Sequence, residues 1–165
     1  SGRTAIEPPM FVKVVPIVTA KEMFDAVTSV SDEQDIIIKA AAVADYRPKH
    51  IADEKVKKSD SEMSLELEKT DDILKYLGEH RKDGQFLCGF SMETENMVEN
   101  SRKKLEKKKL DMIAANNLKV AGAGFQGDTN QMTLITKEEE TALPMLSKEE
   151  TAACILDKIL ECMNK

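Results

Sequence analysis

The chain has 165 residues, a formal net charge of −6, 41% hydrophobic and 33% charged residues, no tryptophan and seven glycines. That length fits one domain, and seven Gly with five Pro exclude a collagen-like or low-complexity chain. The acidic balance argues against nucleic acid as a partner, because a polyphosphate backbone wants a net basic surface.

Three cysteines, Cys88, Cys154 and Cys162, are an odd number, which excludes a disulfide scaffold. One falls in a predicted strand and two on a predicted helix, so the expectation is reduced, buried thiols in a reducing, cytoplasmic compartment. No apolar run approaches the roughly 18 residues of a membrane span. Ser1-Gly2-Arg3-Thr4 lacks the basic and apolar regions of a secretory signal.

In chain order, Phe11 to Thr19 is rich in valine and isoleucine and predicts a buried strand. Thr19 and Glu22 have capping-box spacing, and Met23, Phe24, Val27 and Val30 continue as a helical apolar stripe. Asp35 to Val43, with three isoleucines and then alanines, is apolar on both faces as a central parallel strand should be. Residues 47 to 60 carry His50, Asp53, Glu54, Lys55, Lys57 and Lys58 with little apolar content, which predicts a loop. Met63, Leu65 and Leu67 alternate with polar residues, so Glu62 to Lys69 predicts a half-exposed strand.

Thr70 stands as the cap of a short helix with Ile73, Leu74 and Leu77 on one side. Phe86 to Phe90 predicts a strand, residues 95 to 109 a helix with Met97, Val98 and Leu105 inward, and Leu110 to Ala115 a strand ending at Asn116-Asn117. Gln131 to Thr136 predicts a further strand, and Ala142 to Leu146 another. The last helix starts at Ser147, in capping-box spacing to Glu150, and runs through Ile155, Leu156, Ile159 and Leu160. No internal repeat or interdomain linker interrupts the series. Strands alternating with helices predict an α/β, Rossmann-like domain: a mainly parallel open sheet with helices on both faces. Such sheets place ligands at the carboxyl ends of their strands, near a reversal in strand order.

Three segments are candidate sites. Gly122-Ala123-Gly124-Phe125-Gln126-Gly127 matches the dinucleotide string G-x-G-x-x-G, which would suit an NAD-dependent dehydrogenase. That fingerprint needs a helix after it, and here a strand follows, so a turn is the better reading. Ala40-Ala41-Ala42-Val43-Ala44-Asp45 could let a planar ring approach a strand end, with Asp45 accepting from a ribose hydroxyl or base amino group. A tightly packed central strand reads equally well from composition. Third, Lys55, Lys57 and Lys58 cluster on one loop, and Arg102, Lys103, Lys104, Lys107, Lys108 and Lys109 crowd one helix. Lys104 and Lys108 are four apart and share a face, where two ammoniums could hold a triphosphate. A solvated helix face is the commoner meaning of a lysine run, but only Glu106 offsets this one locally. His50 and His80 have no metal-like partners nearby, no metal site is expected, and no nucleophile triad can be argued. Cys88 and the nine methionines read as core.

Several of these residues form a recognisable order. Ala41-Ala42-Val43-Ala44-Asp45-Tyr46-Arg47 is followed by Glu54-Lys55-Val56-Lys57-Lys58, then Gly89-Phe90 with Glu93-Thr94, then Leu110-Asp111 with Ala115-Asn116. In order and spacing they closely resemble the phosphopantothenoylcysteine synthetases. The likeness spans nearly the whole chain, including Glu7-Pro8-Pro9 at the start and Phe125, Asp128 and Asn130 late on.

The resemblance implies a ligase joining 4′-phosphopantothenate and cysteine in coenzyme A biosynthesis, through an acyl-cytidylate made from CTP with Mg²⁺. It implies nucleotide contacts at Ala40, Ala41, Ala42, Asp45, Asp71, Asp72, Ile73, Leu74, Phe90, Lys104 and Lys108, and a catalytic lysine on a mobile loop at Lys55. Asp71 stands where the family usually has proline. It further implies a homodimer associating through extended strands, and fusion in most bacteria to a flavin-dependent decarboxylase. The glycine-rich strand-loop-helix that usually opens the domain, with an asparagine for the acyl-nucleotide intermediate, has no counterpart here. The expectation is therefore a carboxyl-terminal piece of the synthetase that lacks the first β-α-β unit and part of the phosphopantothenate site. Such a piece would show an unpaired sheet edge.

Overall fold

A computed structural model describes residues 1–4, 6–52, 54–57, 62–93, 95–117 and 129–164. In chain order its elements are α1 (Ala20–Thr28), β1 (Ile36–Lys39), β2 (Tyr46–Pro48), β3 (Leu67–Lys69), α2 (Ile73–His80), β4 (Phe86–Glu93), α3 (Met97–Lys107), β5 (Met112–Asn117), β6 (Thr129–Asn130), β7 (Met132–Thr136), β8 (Glu140–Ala142), β9 (Leu146–Ser147) and α4 (Lys148–Met163). They fall into two compact units, one made of Ser1–Val27 and Ala42–Asp72, the other of Thr28–Ala41 and Ile73–Lys165.

The larger unit holds a five-stranded sheet in the order β1-β4-β5-β7-β8. β1, β4 and β5 are parallel, β7 is antiparallel to β5, and β8 antiparallel to β7. Four of the five strands therefore run the same way, and the sheet is mostly parallel by direction. The described strands cross the sheet in sequence order, so no reversal of order lies among them.

Helices cover both faces. On one, Phe86, Cys88, Met112, Ala114, Met132 and Leu134 pack with Ile155 and Ile159 of α4. On the other, buried Leu74 and Leu77 of α2 and Leu105 of α3 meet the alternate residues of β4 and β5. This alternation explains α4. Ile155 and Ile159 are buried one turn apart, while Leu156 and Leu160 are about half exposed on the next face round. The helix begins as its spacing predicts, with Ser147 Oγ accepting the Glu150 amide and the Glu150 carboxylate accepting the Ser147 amide.

In the smaller unit β2 and β3 form an antiparallel ribbon, tied by Arg47–Glu68 and Lys49–Glu66 ion pairs at 2.7 and 2.6 Å. α1 is capped by Thr19, which shares the reciprocal bonds of a capping box with Glu22.

Several segments differ from their sequence expectation. Phe11 to Thr19 is not a strand: Val12, Val14 and Val15 are 56%, 42% and 47% exposed. Before its last two residues turn to Glu22 and Met23, it is tied to Ser1, which accepts from the Ile17 amide and whose amino group donates to the Val15 carbonyl. Hydrophobicity alone does not make a strand, and no ladder partner lies alongside this one among the described residues. The Asp35–Val43 run is strand only over β1, which sits at an edge of the described sheet rather than at its centre, with Ile38 38% exposed. Thr70 does not cap α2; its hydroxyl donates to the Ala44 carbonyl at 2.6 Å and its amide to the Asp45 carbonyl. The Ala142–Leu146 strand is instead the end of β8 and the start of β9, with residues 143–145 between them.

Candidate functional site

At the carboxyl end of β4 the pleat divides side chains between two faces. Gly89, Ser91 and Glu93 lie on the α2/α3 face, and Phe90 and Met92 on the α4 face, each 37% exposed. Gly89 admits the close approach of α2: an added Cβ would lie 2.8 Å from Leu74 Cδ1 and 3.1 Å from Leu110 Cδ1.

Beyond Gly89 a polar cluster begins. Lys104 Nζ, reaching from α3, donates to Glu93 Oε1 at 2.6 Å and to Ser91 Oγ at 3.3 Å. The Ser91 hydroxyl donates to Glu93 Oε1 at 3.0 Å, and Asn100 Nδ2 donates to Glu93 Oε2 at 3.4 Å. The Glu93 side chain is 14% exposed and that of Lys104 47%. Burial pushes the Glu93 carboxyl up, but hydrogen bonds from Lys104 and Ser91, the Lys104 charge and Asn100 outweigh it and hold it below the usual range. Glu93 is thus a carboxylate at neutral pH, and Lys104 its counter-ion.

Two further cations of the basic helix are also paired, so the local surplus expected from the run is partly offset. Arg102 binds Glu140 of β8 at 2.6 Å and Lys103 binds Glu99 at 2.6 Å. The offsetting acids come from other elements or from the preceding turn, where a count within the run does not see them.

The site residues expected from the sequence are distributed as follows. In the larger unit, Lys104 reaches the strand end and Phe90 lies beside it on the opposite face. Lys108 caps the carboxyl end of α3 one turn away, its amide donating to the Lys104 carbonyl at 3.0 Å. Ile73 and Leu74 are 2% and 6% exposed, so their side chains belong to the core. Ala40 and Ala41 are exposed just after β1, and Lys39 Nζ donates to the Ala41 carbonyl at 2.9 Å. In the smaller unit Ala42, Asp45, Lys55, Asp71 and Asp72 are all exposed. Lys58 and the glycine string at 122–127 lie outside the described residues.

Reading the sequence residue by residue missed the roles of Ser91, Glu93 and Asn100. Glu93 was visible only as part of the family pattern, and its pairing with Lys104 spans 11 residues across two elements. A further polar group lies at this end of the sheet. Asn116 is 8% exposed, stands opposite Met92 and Met132 in register, and its Oδ1 has no hydrogen-bond partner among the described residues. Burial pushes the Cys88 thiol up to about 12, which makes it an inert core residue rather than a nucleophile. Among the described residues no three of His, Cys, Asp and Glu are grouped to hold a metal ion. Nor is any described helix long and apolar enough to cross a membrane.

A cavity of about 550 Å³ opens at the other end of the strands, lined by Arg81, Lys82, Gln85 and Asp111 among others. Three of its charges are already matched: Asp111 accepts from Arg81 and from the Leu87 amide, and Lys82 pairs with Asp32. It reads as a structural knot.

The family described as "DNA/pantothenate metabolism flavoprotein C-terminal domain" matches residues 1–163. The chain is 45% identical over 161 residues to the coenzyme A biosynthesis bifunctional protein CoaBC of Bacillus subtilis (strain 168), covering 96% of this chain and 39% of that one. It therefore spans about two fifths of the length of that relative. A crystal structure of the C-terminal domain of a CoaBC superposes with a TM-score of 0.80 at 40% identity, covering 99% of this chain and 72% of that domain chain. A DNA/pantothenate metabolism flavoprotein from Streptococcus pneumoniae, 22% identical, shares the fold with a TM-score of 0.79 and coverage of 97% and 78%.

Proposed function

Since the chain belongs to the DNA/pantothenate metabolism flavoprotein C-terminal domain family, we propose that it is the nucleotide-binding part of a phosphopantothenate–cysteine ligase. The observation that carries this reading is the 45% identity to a coenzyme A biosynthesis protein across 96% of the chain. The position of Lys104 at the carboxyl end of a parallel strand supports it, since such sheets bind ligands there.

In the proposed reaction the phosphopantothenate carboxylate attacks the α-phosphorus of CTP. Pyrophosphate leaves and an acyl-cytidylate forms; the cysteine amine then attacks the acyl carbon, giving the amide and CMP. The protein's part is positioning and neutralising charge on phosphate oxygens. Lys104 and Lys108 serve the triphosphate, Phe90 offers an apolar ring at the same strand end on the other face of the sheet, and the exposed Lys55 serves the reacting phosphate. Ile73 and Leu74, with buried side chains, have only backbone groups to offer a nucleotide. Ala40, Ala41, Ala42, Asp45, Asp71 and Asp72 complete the proposed nucleotide contacts. Mg²⁺ would enter with the nucleotide and would supply charge neutralisation at its phosphates beside Lys104 and Lys108. The working form we propose is a cytoplasmic homodimer, joined in the full-length protein to a flavin-dependent decarboxylase.

Thermal unfolding with CTP, ATP and NADH in turn tests the nucleotide. At a hundredfold excess over Kd a bound ligand adds about 2.7 kcal/mol, so CTP should raise the midpoint clearly and ATP less. A midpoint unmoved by either triphosphate, or raised by NADH, contradicts the reading. A turnover assay beside it separates ligase from binding module. In the full-length enzyme Lys55→Gln should lose about 2–4 kcal/mol of transition-state stabilisation, and unchanged turnover removes Lys55 from the mechanism.

A further inference from the structure

The Lys104–Glu93 pair raises a question that the proposed function leaves open. A lysine meant for a phosphate oxygen is already bound at 2.6 Å by a carboxylate oxygen, which is the same class of acceptor. Three details show how the arrangement works. First, the Lys104 side chain is 47% exposed, and its bonds to Glu93 and Ser91 use two of three ammonium N–H groups. A ligand arriving from solvent therefore meets an accessible donor.

Second, Glu93 is held independently of the lysine. Ser91 Oγ donates to one of its oxygens and Asn100 Nδ2 to the other. If Lys104 turns away, the carboxylate keeps both neutral donors and is not left as a bare buried charge. Third, the competing charge is single. A triphosphate with several negative charges outbids one carboxylate for an ammonium far more readily than a monophosphate does.

We propose that Glu93 is a built-in competitor for Lys104, an internal anion that a triphosphate displaces and a monophosphate does not. This rests on the reading of Lys104 as a phosphate-binding residue. Glu93 then acts through Lys104 as a positioning and specificity residue. It presents the lysine in a fixed place before binding, and it helps reject the nucleoside monophosphate left after the reaction.

Calorimetric titration of inorganic triphosphate at fixed ionic strength into four proteins tests this: wild type, Glu93→Gln, Lys104→Gln and the double variant. Glu93→Gln should bind triphosphate about threefold more tightly or better, the size expected for releasing a half-exposed ion pair. In the Lys104→Gln background the same change should give no gain. Weaker or unchanged binding by Glu93→Gln overturns the proposal. So does an equal gain in both backgrounds, which would make Glu93 only a repulsive charge at a distance. If Lys104→Gln binds as tightly as wild type, it is the phosphate reading of Lys104 that fails. Should Glu93→Gln not melt cooperatively, Glu93→Asp draws the carboxylate back by one methylene. A smaller gain of the same sign then supports the proposal, and a loss overturns it.

Discussion

Gly78 shows how much one missing methyl group decides. It lies within α2, where alanine is normally the better residue by about 1 kcal/mol. Here an added Cβ would stand 1.9 Å from the Lys108 carbonyl oxygen and 2.9 Å from its carbon. Those are backbone atoms at the end of α3, so no side chain can swing aside. Overpacking costs about 1–3 kcal/mol, which exceeds the helical gain. Gly78→Ala should therefore lower the urea midpoint of unfolding, and a raised midpoint would show that α3 yields freely at Lys108. Gly89 is a milder case, because an added Cβ would meet the ends of Leu74 and Leu110 side chains.

At the scale of elements, local chemistry explains where helices begin better than where strands lie. The starts of α1 and α4 were legible because a capping box is written within four consecutive residues: Thr19 with Glu22, and Ser147 with Glu150. Ser147→Ala should remove about 1 kcal/mol, read as a lower urea midpoint with unchanged slope. No change would mean that packing of Ile155 and Ile159 alone fixes the helix. Strands depend on partners that a local reading does not see. Phe11–Thr19 has strand composition and no ladder among the described residues, whereas β4, flanked by β1 and β5, extends three residues beyond its expected end at Phe90. That extension places Ser91 and Glu93 beside Lys104. α3 gives the same lesson for charge. Its lysines and their spacing are legible, but Glu140 reaches Arg102 from 38 residues away.

At the scale of the molecule, the alternation of strands and helices foretold an α/β sheet with helices on both faces, and the larger unit has it. The antiparallel turn of β7 was not legible, since a buried strand reads alike in either direction. Of the candidate site, the helical spacing of Lys104 and Lys108 could be read directly, while the alanine and loop positions rested on resemblance to a family. In the proposed function the lysine helix holds a nucleoside triphosphate. Calorimetric titration of CTP with Mg²⁺ into the wild type and the Lys104→Gln/Lys108→Gln variant tests it most directly. The wild type should bind saturably and the variant at least about tenfold more weakly, the effect of losing charge-assisted bonds worth about 1.5–3 kcal/mol each. Binding of equal strength in the two proteins, or none in the wild type, would contradict it.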